Sequence, residues 1–583
     1  MHGIDPILVS ILQKRLKSIT EEMGITLLRT ARSPILSEVR DCCTGLYDDR
    51  GRMLEQTEYI PILAFALRPG CQYILEYYGD EIYPGDLILH NDVFRNGNQL
   101  PDLGVYRPIF YRDELVAWAA SKGHQMDIGG AAAGAYNPLA REVWQEGIRI
   151  PPVKVYENGK FRRDVWDLIF SNIRYDLVAD DIRAQIGACT VGERGILSLI
   201  ERYGVEIFRS HIEYLFDSTE KMMREEIARI PAGRYLGESY MHDDGVTEGS
   251  RHRVRVAVTV QDSEIAFDYA GTDPQTAGYA NATYASAAGG TLATLLFCLI
   301  NPEVPHNEGM LRPVHIDIPE GCFLNARFPA ATTFGNHISD VYSEAILKAL
   351  AQAMPERVSA SWNRMLAAMI VGFDPRREAP FVDFDFPCLM GGFGAGYGAD
   401  GYDHTGIFVC GGGLLSQDYE MLELESPITL LYHEFWPGSG GAGQWRGGLG
   451  VKSAFTVDGS ECMASILGDG VEEETAAPGL LGGKRGAVNR LEFVYPDGTR
   501  HKPRCKETVP SVPTGTIVER EAGGGGGYGD PYLRPADTVL WEVKNGLLSI
   551  RQAEEDYGVA IDPSTLAVDS LKTREIRGRR KGE

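Results

Sequence analysis

Residues Asn91 to Gly130, NDVFRNGNQLPDLGVYRPIFYRDELVAWAASKGHQMDIGG, put polar clusters at both ends of one strand–turn–strand pattern. Val105–Tyr111 and Leu115–Ala120 have the apolar character of strands, and Arg112-Asp113-Glu114 supplies the turn between them. A hairpin returns the chain to the edge it left. Asn91, Asp92, Gln99 and Asp102 precede it and His124, Gln125, Asp127, Gly129 and Gly130 follow it, so Asp102 and His124 are expected at the same edge of a sheet. Acids, an imidazole and small glycines gathered in one place describe a site better than a core.

The surrounding chain of 583 residues is long enough for several subdomains. Its 57 Lys+Arg against 81 Asp+Glu leave a formal charge of −24, which argues against a nucleic-acid partner. Only the segment Lys572–Lys581 is basic, and it reads as a solvated or subunit-contacting tail. No apolar run reaches the length of a bilayer, and Met1–Ser10 lacks a signal-peptide layout. The ten cysteines form no CxxC pair, and Cys42-Cys43 are simply adjacent. A reduced, cytoplasmic protein without zinc-finger or iron–sulfur spacing is expected.

Asp5-Pro6 opens a helix whose apolar positions Ile7, Ile11, Leu12, Leu16, Ile19, Met23 and Leu27 recur to about Arg32. Hairpins are expected at Val39–Tyr47 with Met53–Thr57, and at Val153–Tyr156 with Lys160-Phe161. Residues 164–203 are helix-rich, 251–267 read as two strands, and 283–300 and 339–353 as helices. The expected fold is α+β with several subdomains. A polar site belongs to an N-terminal α/β part over 1–160. A helical insert over 161–230 and an α/β middle part over 231–360 follow. A mainly β, glycine-rich C-terminal part covers 361–565, and a basic tail covers 566–583.

Other clusters carry less chemistry. Gly523–Gly527 could cradle an anion or be a loop docked on a sheet, but no GK[ST] follows, so no P-loop is present. Gly479–Lys484 fails the same pattern. His404 with Glu420 and Glu423 reads as an acid–base group or a solvated face, and His337 as a helix-start residue binding backbone.

Asn91-Asp92, Leu100-Pro101-Asp102 and His124–Gly130 resemble motifs of the hydantoinase B/oxoprolinase family. Asn281-Ala282-Thr283, Cys298–Arg312, Ser439–Gly450, Gly523–Pro531 and Leu547–Val559 carry the resemblance across about residues 5–565. It implies a divalent metal site, zinc or manganese, with Asp41, Asp102 and His124 at the ligand positions. Gln99 and Gln125 stand where the family has histidines, and an amide oxygen is a weaker ligand than imidazole. A metal-free, hydrogen-bonded pocket is the other reading of the same residues.

The resemblance also implies one subunit of an ATP-dependent heteromeric enzyme. A hydantoinase-A-like ATPase partner, with or without further subunits, would phosphorylate the carbonyl of a small-molecule substrate. Carboxylation of a ketone such as acetone or acetophenone with bicarbonate is the favoured reaction, because two glutamines for histidines weaken hydrolysis by metal-bound water more directly. The alternative is opening of a cyclic amide: a hydantoin, 5-oxoproline or a lactam. A second alternative is a non-catalytic structural subunit. His124 and Asp127 would be the acid–base groups. Asp41, Asp102 and Gln99 would orient them or hold the metal. Asn91, Asp92, Gln125, Gly129 and Gly130 would shape the pocket.

Overall fold

The structure, a computed structural model, describes residues 4–57, 59–299, 301, 303–385, 390–405, 407–410 and 413–580. It divides into two compact units. The first comprises residues 1–239, 244–349 and 409–417, and the second 240–243, 350–408 and 418–583. The segments 1–160 and 161–230 fall in the first, and most of 361–565 in the second.

The first unit is built on a seven-stranded sheet among the described residues. Its strands are β1 (Cys42–Asp48), β2 (Met53–Thr57), β3 (Leu87–His90), β4 (Asp102–Tyr111), β5 (Glu114–His124), β6 (Val153–Glu157) and β7 (Lys160–Phe161), in spatial order β2-β1-β5-β4-β3-β6-β7. The expected first hairpin starts later than its sequence suggested. Pro34–Ser37 forms a short helix and Arg40 takes φ 64°, so the strand begins at Cys42. The central hairpin is longer than expected at both ends.

Helix Pro6–Thr30 starts where proline suits the first turn, with the Asp5 side chain accepting a hydrogen bond from the Ile7 N–H. Leu12, Leu16, Ile19, Met23 and Leu27 are buried, and the helix packs on Leu177–Tyr203. Helices Arg163–Phe170, Leu177–Tyr203 and Val205–Ile227 account for the helical insert. A second sheet, with strands Gly233–His242, Arg251–Gln261, Glu264–Asp268 and Val314–Asp317, carries the turn expected at 262–264. Helices Tyr284–Leu299 and Ser339–Leu350 are also in this unit.

The second unit contains a four-stranded and a five-stranded sheet among the described residues. One apolar cluster draws on both, with Leu366, Ile370 and Ile466 from the first and Phe455, Phe493 and Val518 from the second. Apolar side chains alternating along strands make this kind of core. Gly523–Gly527 is no exposed cradle: all five glycines are buried and hydrogen-bonded on several sides. Gly525 N–H donates to Gly448 O, Gly526 N–H to Ser361 O, and Gly527 N–H to Lys484 O. Their carbonyls accept from Gly441, Ala395 and Leu480 respectively. Successive residues thus face different neighbouring segments. No helix of the described residues is long and apolar enough to cross a membrane.

Candidate functional site

Asp102 and His124 are cross-strand partners in the β4–β5 hairpin, which turns at Arg112 (φ 57°) and Asp113. Direct partners project to the same face, so register alone brings the acid to the imidazole. Asp102 Oδ1 and His124 Nδ1 lie 2.8 Å apart, with both residues buried. Strand β1 adds the third group. Cys42 pairs with Gly123, and the His124 N–H donates to the Asp41 carbonyl at 3.0 Å. The three residues thus meet at one end of three adjacent strands.

Burial sets their protonation. Desolvation pushes Asp41 up to about 7; His124 opposes that rise, and Asp102 adds to it. For His124, burial favours the neutral ring, but the hydrogen bond to Asp102 and the charges of Asp102 and Asp41 outweigh it and raise the pKa. Lys122, two residues back on the same face, is lowered to about 8 by burial. Its Nζ donates to Asn98 Oδ1 at 2.7 Å, and Asn98 donates in turn to Asp102 Oδ2.

Gln99 is occupied on both ends. Its amide nitrogen donates to the Tyr136 hydroxyl at 2.9 Å and to Thr333 O, and its oxygen accepts from Asn336 Nδ2 at 2.8 Å. The same Asn336 nitrogen donates to Asp102 Oδ2 at 2.8 Å. Tyr136 stacks on His124, with centroids 5.9 Å apart and planes 15° apart, and its hydroxyl lies 2.9 Å from His337 Nε2. Buried Glu146 accepts from Thr332 N at 2.8 Å and Thr333 N at 2.7 Å, anchoring the turn that presents Asn336.

The remaining expected residues support the site instead of entering it. Asp127, expected as an acid–base group, sits in a cage of hydrogen bonds. Its oxygens accept from the N–H groups of Gly129, Gly134 and Arg174, and from Arg174 Nη1 at 3.0 Å. No oxygen of that carboxylate is left to serve a substrate. Gln125 donates to Gly123 O at 2.9 Å and Gln185 Oε1 at 3.1 Å. Asn91 ties Leu100 O and Ile148 O to the Ile150 N–H. Gly130 has φ 82°, and a Cβ there would stand 2.6 Å from the Glu146 carbonyl carbon, so only glycine suits the turn. Gly129 (φ 79°) is similar. Asp92 is buried and turned to Arg149, whose Nε lies 3.4 Å from its Oδ2.

His337 does more than bind backbone, since its ring meets Tyr136. In the second unit, Glu420 is exposed and Glu423 accepts from the Leu430 N–H at 2.9 Å, while His404 stands edge-on to His433. These do not converge as an acid–base group. Burial pushes the thiols of Cys42 and Cys43 up, which makes them poor nucleophiles. Sequence reasoning missed Asn98, Lys122, Tyr136, Thr333 and Asn336. The only signal for the last was a polar Asn-His pair in an otherwise small and apolar run.

As they stand, Gln99 and Asp102 have their oxygens turned to hydrogen-bond donors and not to a divalent metal ion. Both Asp102 oxygens accept hydrogen bonds, His124 Nδ1 is turned to Asp102, and the Gln99 oxygen is turned to Asn336. Among the described residues no group of three His, Cys, Asp or Glu is arranged to hold a metal. The arrangement can instead donate a proton from an imidazolium and accept one at a carboxylate.

A family model for hydantoinase B/oxoprolinase matches residues 5–531. The beta chain of the caprolactamase of Pseudomonas jessenii is 35% identical over 578 residues, 96% of this chain and 97% of that one. The crystal structure of the ATP-dependent caprolactamase from P. jessenii matches with a TM-score of 0.91 at 33% identity, over 99% of this chain and 100% of that one. One component of a putative D-/L-hydantoinase from Pseudomonas sp. strain NS671 is 30% identical, covering 99% of this chain and 98% of its own length. A nucleotide-free acetone carboxylase structure shares the fold, with a TM-score of 0.91 at 20% identity over 99% of this chain and 83% of that one.

Proposed function

The chain belongs to the hydantoinase B/oxoprolinase family, and from that premise we propose that it completes the ATP-dependent opening of a cyclic amide. A hydantoinase-A-like partner would first phosphorylate the amide carbonyl. This reverses the preference drawn from the sequence, which favoured ketone carboxylation. Relatives 30–35% identical over nearly their whole length carry lactamase and hydantoinase names, whereas the acetone carboxylase match supports the fold alone.

The observation that carries the reading is the pairing of Asp102 with His124 beside a carboxyl held near 7. Both pKa values are raised, the carboxyl's by burial and the imidazole's by Asp102, which poises one as a base and the other as a proton donor. Asp41 accepts the proton of an attacking water. His124, whose protonated form Asp102 favours, protonates the departing ring nitrogen as the C–N bond breaks, and the acyl phosphate left behind is hydrolysed by a second water to a carboxylate and inorganic phosphate. Gln99 and Asn336 keep Asp102 in place, and Tyr136 covers one face of the imidazole.

The test is co-expression with the partner chain and assay of lactams and hydantoins against ketones with bicarbonate, each with and without ATP. ATP-dependent ring opening that needs no bicarbonate is expected. Product formation only with ketone and bicarbonate overturns the reading. Metal content gives an independent check. At equal zinc exposure and after gel filtration, Gln99→His is expected to retain several-fold more zinc than the wild-type chain, because an imidazole replaces a turned-away amide. Equal, stoichiometric zinc in both would show that the present donors suffice.

A further inference from the structure

A cleft of about 660 Å³ opens in the first unit beside the loop that follows β3. That is room for a small molecule. Arg95, Arg149 and Arg327 line it against two carboxylates, Asp92 and Glu320. An excess of guanidinium runs against the chain's net charge of −24. These arginines are also only loosely neutralised. Arg149 Nε lies 3.4 Å from Asp92 Oδ2, and Arg327 Nε 3.6 Å from Glu320 Oε1. Arg95 rests over Tyr73, 6.0 Å from the ring centroid, with no carboxylate within ion-pair distance among the described residues. By contrast, Arg107 and Glu193 of this unit close to 2.7 Å.

The cleft has an apolar side as well. Phe328 is half exposed and stands edge-on to Phe94 at 5.4 Å and to Trp144 at 5.3 Å. The Arg149 guanidinium lies 4.9 Å from the Phe328 centroid, which holds it in one orientation. Oriented guanidinium groups beside aromatic edges suit an anion attached to a flat or apolar body. The loop links the cleft to the catalytic pair. Arg95 and Asn96 line the cleft, Thr283 Oγ1 holds Gly97 O at 3.0 Å and Asn98 O at 3.2 Å, and Asn98 donates to Asp102.

We propose that this cleft binds a phosphate group through Arg95, Arg149 and Arg327, on the free ion or on a small organic molecule. It rests on the reading that the partner generates a phosphorylated carbonyl, which would present such a group to this chain. The same chemistry would retain the phosphate released by the reaction, so the experiment must separate the two sources.

Calorimetric titration of the purified full-length chain at low ionic strength, with phenyl phosphate in one arm and inorganic phosphate in the other, makes the test. No partner, ATP or turnover is involved, so a failed ring-opening assay leaves this result standing, and the reverse holds. Saturable binding is expected, with phenyl phosphate about tenfold tighter. The Arg149→Gln/Arg327→Gln variant should weaken both ligands by about tenfold or more. Phe328→Ala should remove only the preference for phenyl phosphate. Equal affinity for the two ligands, lost in the arginine variant, supports phosphate recognition and assigns the source to free phosphate. Absence of saturable binding, or unchanged affinity in an arginine variant with wild-type unfolding temperature, overturns the proposal.

Discussion

Turnover of the reconstituted enzyme is expected to fall by about a thousandfold when His124 is replaced by Ala, the usual scale for losing a positioned proton donor. The effect follows from the cross-strand pair. The His124 imidazole is hydrogen-bonded to Asp102, and Asp102 is fixed from its other side by Asn98 and Asn336. Removing the ring leaves the carboxylate in place without a proton to give. Asp102→Asn keeps the shape but removes the charge that favours the imidazolium, so its turnover should fall and its alkaline limb should move to lower pH. Steady-state rates against pH for both variants, with partner association followed by gel filtration, make the check. Turnover within tenfold of wild type for His124→Ala in an intact complex would leave the chain a structural subunit.

The second large effect concerns folding. Gly525→Ala should destabilise the second unit by about 4 kcal/mol or more, enough to lower its unfolding temperature by about 10 °C. A Cβ at Gly525 would lie 2.0 Å from Phe393 O and 2.2 Å from Phe393 C, and neither can swing aside as a side-chain tip could. The same backbone segments are held by the hydrogen bonds of Gly525, so relief at one contact breaks another. Gly396→Ala is the control, since a Cβ there meets nothing within 4 Å. Calorimetric scans of the two variants decide it. Equal stability would mean that the thread is looser than its hydrogen bonds imply.

The pairing of Asp102 with His124 was legible because it depends on local rules. A turn between two strands set the hairpin, and strand register then put Asp102 opposite His124. The helix at Pro6–Thr30 was legible for the same reason, with a cap, a proline and a periodic apolar stripe. Asn336 and Tyr136 were not, since they arrive on irregular segments with no period to align them. The setting of Asp127 was not legible, because its partner Arg174 enters from the turn between helices Arg163–Phe170 and Leu177–Tyr203. The glycine run showed only that side chains were missing, not that other backbones fill the space. Reaction class was hardest to read, because one acid–base pair can serve ring opening or carbon–carbon bond formation.

The glycine thread also constrains the order of assembly. Its neighbours come from around Ser361, Phe393, Gly441, Gly448 and Lys484, all synthesised well before Gly525. None of those stretches can complete its ladder until the last of the bundle arrives. Contacts so distant along the chain close slowly. The second unit should therefore spend its time on the ribosome, and its first moments after release, with open backbone edges that a chaperone could hold.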